Sequence, residues 1–166
     1  MSGSRRDASG DRLADLYDRF AATLFRHAAM ILADRAAAAD VVQNVFLKLA
    51  KAGSSGEVES VAYLRRAVRN ECYSVMRTRR RDVVVAVDAA LLERVEGADD
   101  RPAERLALEQ ALQELPAEQR EVVHLKVWEG MTFQEIADLT GESLNTAASR
   151  YRYATEKLRI ILGEKV

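Results

Sequence analysis

The sequence predicts an all-α protein: two small helical domains joined by an acidic linker, the second carrying a helix-turn-helix. Three observations carry that prediction. The 166 residues include only 2 prolines and 8 glycines, while alanine, leucine, arginine and glutamate abound, a balance that favours helices. Apolar residues recur three and four apart along most of the chain, the period of an α-helix packed on one side. Finally, the stretch from Thr132 to Arg159 falls into two such segments on either side of Gly141 and Ser143.

Residues 1–10 are small and polar and are expected to be disordered. The first domain spans 11–82. Asp11 is placed to cap a first helix whose stripe is Leu13, Leu16, Tyr17, Phe20, Leu24, Ala28 and Ile31. A short break near Ala33 to Arg35 precedes a second helix, from about Ala36 to Lys51. Its apolar content is Val41, Val42, Val45, Phe46 and Leu49, and Asp40, Gln43, Asn44 and Lys48 occupy its other side. Gly53 to Gly56 reads as a loop. Ser60 is placed to cap a third helix, from about Val61 to Arg80, with Ala62, Leu64, Ala67, Val68, Cys72, Val75 and Met76 available for burial.

This third helix is strongly basic. Between Val61 and Asp82 there are 7 arginines against Glu71 and Asp82. Tyr63, Asn70 and Tyr73 are interleaved with them. Guanidinium groups pair with phosphates and rings stack on unpaired bases, so the pattern suits a nucleic-acid surface. A solvated basic face ending in an arginine-rich tail has the same pattern, and this stretch alone leaves both open.

Residues 83–102 form the linker. Val83 to Val87 is a β-branched run, but a lone strand has no partner here; it is expected to pack on a domain or on another protein. Asp88, Glu93, Glu96, Asp99 and Asp100 follow, and from Val83 to Glu121 there are 10 acids against 4 arginines.

The second domain spans 103–166. Asp99 or Asp100 with Pro102 opens a helix that keeps Leu106, Leu108, Leu112 and Leu115, and Pro116 starts the next, running to Trp128. Gly130 closes it. The helix from Phe133 keeps Phe133, Ile136, Ala137 and Leu139 together and ends at Gly141. Ser143 is then placed to cap the last helix. That helix carries Leu144, Ala147, Ala148, Tyr151, Ala154, Leu158 and Ile161 on one side, and Asn145, Thr146, Ser149, Arg150, Arg152 and Tyr153 on the other. Small polar and basic residues at the start of a second helix suit DNA reading. An ordinary helical hairpin with a solvated outer face fits the same spacing.

Bulk properties exclude other classes. The formal net charge is -1, so only the charge distribution points to nucleic acid. Cys72 is the only cysteine, which rules out an internal disulfide. His27 and His124 lie in separate helices without cysteines nearby, so neither a metal nor a cofactor is expected. No phosphate loop or Ser-His-Asp arrangement suggests an enzyme. No apolar run is long enough to span a membrane, and the first ten residues lack the apolar segment of a secretory signal. A cytoplasmic protein is the simplest expectation.

Three ordered segments resemble one family. DVVQNVFLKL, Asp40 to Leu49, is similar to a D-x-V-Q-x-x-F-L segment. AYLRRAVRNECYSVMRTRRR, Ala62 to Arg81, is similar to the basic segment that follows it. Leu115 to Arg159 carries Leu115-Pro116, Glu135-Ile136-Ala137, Ser143, Thr146, Ser149-Arg150, Ala154 and Leu158-Arg159 at matching separation. Together they resemble bacterial sigma factors of the extracytoplasmic-function group. The likeness covers about Leu13 to Leu162. It departs at Asn145, where glycine is common; at Ala147-Ala148, where valine-lysine is common; and at Tyr153 and Thr155, where arginine is common. The last helix is therefore less basic than usual, which leaves more of the affinity to the polymerase. Tyr63 replaces a frequent tryptophan.

The resemblance implies a promoter-specificity subunit rather than an enzyme. Its partners would be core RNA polymerase (the beta-prime clamp and beta flap), promoter DNA and an anti-sigma factor. By family position Asp40, Gln43, Asn44, Phe46 and Leu47 would dock on the polymerase, although without the family that face reads as a plain amphipathic helix. Tyr63, Arg66, Arg69, Asn70, Tyr73, Arg77, Arg79 and Arg80 would meet the melted minus-ten element, with the Gly53 to Val58 loop shaping a pocket for an extruded base. Ser143, Asn145, Thr146, Ser149, Arg150, Arg152, Tyr153 and Lys157 would meet the minus-thirty-five element, with Arg150 the leading candidate for a base contact and Arg152 and Lys157 for phosphates. The rival reading is a helix-turn-helix regulator that acts without replacing the sigma subunit. A sensory first domain, however, has no use for the basic third helix. A protein-binding adaptor would have to treat the arginines as solvation alone.

Overall fold

The computed structural model describes residues 4–53, 60–80 and 101–164. Seven α-helices and no strand occur among them: α1 (Ser4–Leu32), α2 (Arg35–Ala52), α3 (Val61–Arg79), α4 (Pro102–Gln113), α5 (Ala117–Val127), α6 (Phe133–Thr140) and α7 (Leu144–Glu164). They form two compact units, α1 to α3 and α4 to α7. The valine run, the acidic residues 88–100 and most of the Gly53 to Val58 loop lie outside the described residues.

In the first unit α1 packs along α3. Its core takes Leu16, Leu24, Ala28 and Ile31 from α1, Val41, Val42, Val45, Phe46 and Leu49 from α2, and Leu64, Val68 and Cys72 from α3. Burying each such aliphatic side chain contributes about 1.5–3 kcal/mol before entropy is counted. His27 is fully buried on the same face of α1, one turn after Leu24. Tyr17 lies at the edge of the stripe: it is 45% exposed, and its ring meets Phe46 edge-on at 5.0 Å. Ala33 turns the chain from α1 into α2 with φ of 52°, a left-handed geometry that costs a residue with a Cβ about 1–2 kcal/mol.

Two expectations for α1 are corrected. It begins at Ser4, and Asp11 lies inside it rather than capping it. Once a packed helix exists, each added residue gains a hydrogen bond without a new nucleus, so the polar residues before Asp11 join it despite Gly10. The start of α3 is as expected: the Ser60 hydroxyl accepts from the Tyr63 N–H at 3.2 Å.

In the second unit α7 packs against α4, α5 and α6. Pro102 occupies the first turn of α4 and Arg101 its cap position, with no side-chain cap bond. Leu106, expected inward, is 46% exposed, whereas Glu109 is buried. Arg105, one turn before Glu109, pairs with it at 3.3 Å, and the pairing makes burial of that carboxylate tolerable. Pro116 is the cap of α5 rather than its first residue. Leu144 is also more exposed than its spacing suggests, as the first residue of α7.

The end of α4 is held by cations from two other places in the chain. Buried Arg120 donates to the Leu112 carbonyl in the last turn at 3.5 Å and to the Leu115 carbonyl just past the helix at 3.1 Å. Lys157, on α7, donates to the Glu114 carbonyl at 2.6 Å. The last carbonyls of a helix lack partners within it and carry the negative end of its dipole, so both contacts are favourable.

Candidate nucleic-acid interface

The helix-turn-helix is assembled by local bonds first. Thr132 caps α6: its hydroxyl accepts from the Glu135 N–H at 3.1 Å, and its own N–H donates to Glu135 Oε2 at 2.7 Å. That reciprocal pair is a capping box. The backbone N–H of Thr132, then its hydroxyl, hold the Glu135 carboxyl below the ordinary glutamate value of 4.5. The Thr-x-x-Glu spacing was a readable signal that the pattern of apolar residues alone did not use.

Gly141 then reverses the chain in the left-handed region, with φ of 72°. Its N–H and that of Glu142 both donate to the Ala137 carbonyl, at 2.9 and 3.1 Å. Ser143 caps α7, its hydroxyl accepting from the Thr146 N–H at 3.0 Å. Val122, Leu125, Ile136, Ala137, Leu139 and Ala147 close the core between α5, α6 and α7, flanked by Met131, Phe133 and Tyr151. Phe133 meets Tyr151 edge-on at 5.6 Å, and the Lys126 ammonium lies over the Phe133 ring, 4.7 Å from its centre.

On α7 the spacing 145, 149, 152, 156, 159 marks a single face. Asn145, Arg152, Glu156 and Arg159 are exposed on it and Ser149 is half-buried. Tyr153, 59% exposed, lies beside it, and the Arg152 guanidinium stands 5.1 Å from the Tyr153 ring centre. Thr146 is half-buried, and its hydroxyl lies 2.9 Å from that of Ser143 in the cap.

Two of the expected DNA contacts have other engagements. Arg150 comes three residues after Ala147 and four before Ala154, both buried, so it belongs to the packed side of α7. Its Nη2 lies 3.0 Å from Glu142 Oε1. Lys157 is turned to the end of α4. Neither stands on the outward face with Asn145, Ser149 and Arg152.

On α3 the buried residues Leu64, Val68 and Cys72 are four apart. The opposite face carries Tyr63, Arg66, Asn70, Ser74 and Arg77, all exposed. Arg69 and Tyr73 lie at its margin and are half-buried, the guanidinium 4.5 Å from the ring centre. Arg80 is exposed just past the helix end. Arg79 falls seven residues after Cys72, on the side of the buried stripe, and is half-buried. Glu71 does not dilute the basic face, because it pairs with Lys48 of α2 at 2.7 Å. Ser74, not singled out by the sequence reading, is exposed on the same face between Asn70 and Arg77.

On α2, Asp40, Gln43 and Asn44 are exposed and Leu47 is 51% exposed. Phe46 is corrected: at 6% exposure it is a core side chain packed on Tyr17 and is not part of that outer face. An aromatic ring at a boundary position goes inward because burial removes the most apolar area from water. Among the described residues no group of three or more His, Cys, Asp or Glu side chains is arranged to hold a metal, and no helix is long and apolar enough to cross a membrane.

Comparison with known proteins gives a consistent set of matches. Residues 16–82 match the family model for Sigma-70 region 2, and residues 105–158 that for Sigma-70 region 4. The chain is 34% identical over 158 residues to the ECF RNA polymerase sigma factor SigL of Mycobacterium tuberculosis, covering 90% of this chain and 88% of that one. It is 32% identical over 165 residues to the RNA polymerase sigma factor CarQ of Myxococcus xanthus, covering 96% and 94%. A solved structure of the sigma factor RpoE in complex with the anti-sigma factor NepR, from Bartonella quintana, superposes with a TM-score of 0.70 at 28% identity, over 90% of this chain and 97% of that one.

Proposed function

We propose a division of labour within a chain that belongs to the sigma-70 family of RNA polymerase sigma factors, in its extracytoplasmic-function group, and that is an alternative sigma factor directing promoter-specific transcription. The observation that carries the proposal is the pair of outward faces, one on α3 and one on α7, each in its own compact unit. The α3 face combines rings, an amide and arginines. It suits a melted strand, where bases stack on aromatic side chains and phosphates meet guanidinium groups; this is the minus-ten role. The α7 face offers short polar groups near the start of a helix, which reach base edges in a major groove; this is the minus-thirty-five role. Asp40, Gln43, Asn44 and Leu47 on α2 supply a mixed polar and apolar surface for core polymerase.

The work is recognition rather than catalysis, and it takes place where the polymerase is, in the cytoplasm. An anti-sigma factor is the expected regulator, by likeness to the Bartonella complex. The acidic stretch from Asp88 to Asp100 lies between the two units in sequence, and its charge disfavours contact with duplex DNA.

Run-off transcription with core polymerase tests the proposal. Defined initiation is expected only when this protein is added. A tight complex with duplex promoter DNA in the absence of polymerase would instead favour a free-standing regulator.

A further inference from the structure

We infer that Glu142 is a positioning residue for the DNA-reading helix: its ion pair with Arg150 fixes α7 against α6 and keeps the Arg150 guanidinium out of the reading face. The inference rests on α7 being the helix that enters promoter DNA.

The pair spans the turn. The Glu142 N–H donates to the Ala137 carbonyl at 3.1 Å, so its backbone belongs to the end of α6. Its carboxylate meets Arg150 Nη2 at 3.0 Å, two turns into α7. The side chains are 37% and 26% exposed, so the pair is only partly screened. Glu142 also stands two residues before Leu144, the first residue of α7, where the helix dipole favours negative charge. The Ser143 cap holds the first turn of α7, and the ion pair holds the second. A reading helix must present its side chains within a fraction of an ångström of productive geometry, which loosened packing at this turn removes. Arg150 thus acts through the angle of α7, while Asn145, Ser149 and Arg152 remain to meet the DNA.

Charge reversal separates this from direct reading by Arg150. Four full-length proteins are compared in run-off transcription with core polymerase on a promoter fragment selected by the unaltered chain: the unaltered chain, Glu142→Arg, Arg150→Glu, and both together. Each single change is expected to lower initiation on the order of 10-fold, the scale of coupling between neighbouring charges. The double change is expected to recover most of it, with core binding constant throughout. Losses in the singles are expected to fall evenly across base positions of the promoter, whereas loss of a base-reading arginine relaxes preference at one position.

No recovery in the double variant overturns the inference, as does a Glu142→Arg protein that initiates like the unaltered chain. If the unaltered chain directs no defined initiation, the functional reading fails instead. The melting temperatures of the same four proteins then still decide the brace, and additive changes without coupling overturn it.

Discussion

Lys157 Nζ lies 2.6 Å from the Glu114 carbonyl oxygen, joining α7 to the end of α4 across 43 residues of chain. A lysine on α7 thereby serves the packing of its own domain. The Glu142–Arg150 pair does the same at the other end of that helix. Both cations read from the sequence as DNA contacts, and both are engaged by partners of their own domain. The remaining outward residues, Asn145, Ser149, Arg152 and Tyr153, bear the prediction for promoter contact.

Arg152→Ala should weaken promoter binding by the polymerase complex about equally on all sequences and lower the salt slope by about 1. Ser149→Ala should instead change preference at one base position, by about 1–3 kcal/mol. Titrating initiation against salt, on promoters varied one base at a time, measures both. A uniform effect from Ser149→Ala would remove it from the base contacts.

Tyr63, exposed on α3, is predicted to stack on an unpaired base. Tyr63→Ala should cost about 1–3 kcal/mol in open-complex formation while core binding persists. A template already unpaired over the minus-ten element should restore initiation, since the melting has been supplied. Permanganate reactivity of the melted thymines reports the open state. Equal defects on paired and unpaired templates would contradict this role.

Neighbouring residues on α2 should separate cleanly. Leu47→Glu alters an exposed side chain and should abolish association with core polymerase while leaving the melting temperature near that of the unaltered protein. Phe46→Ala empties a core position and should lower stability by about 3–5 kcal/mol. Denaturant melts and co-purification with core polymerase give the two readouts.

The capping box of α6 predicts an acid-side dependence. Glu135 has a depressed carboxyl value in the folded chain, so its contribution is fully present above 4.5 and fades as pH falls through the lower folded value. Thr132→Ala removes the hydroxyl of the cap and should cost about 1 kcal/mol at neutral pH. It should also shift the acid limb of the stability curve upward in pH. Urea unfolding followed from pH 7 downward tests this; an acid limb unmoved by the substitution would leave the carboxyl shift without its cause.

The helices, their order, and the two basic or polar stretches proposed to meet DNA are legible in the sequence alone. Helical period depends on local geometry, and the stop at Gly141 and the caps at Ser60 and Ser143 involve residues at most four apart. Which residues of each helix remain exposed depends on packing between helices. Phe46 turned inward because Tyr17 of α1 packs on it. Arg150 sits on the packed side of α7 and pairs with an acid beyond the turn, and the Lys157 ammonium is held by a carbonyl at another helix end. The partners that claim these side chains are brought near by folding, and no spacing along one helix reveals them.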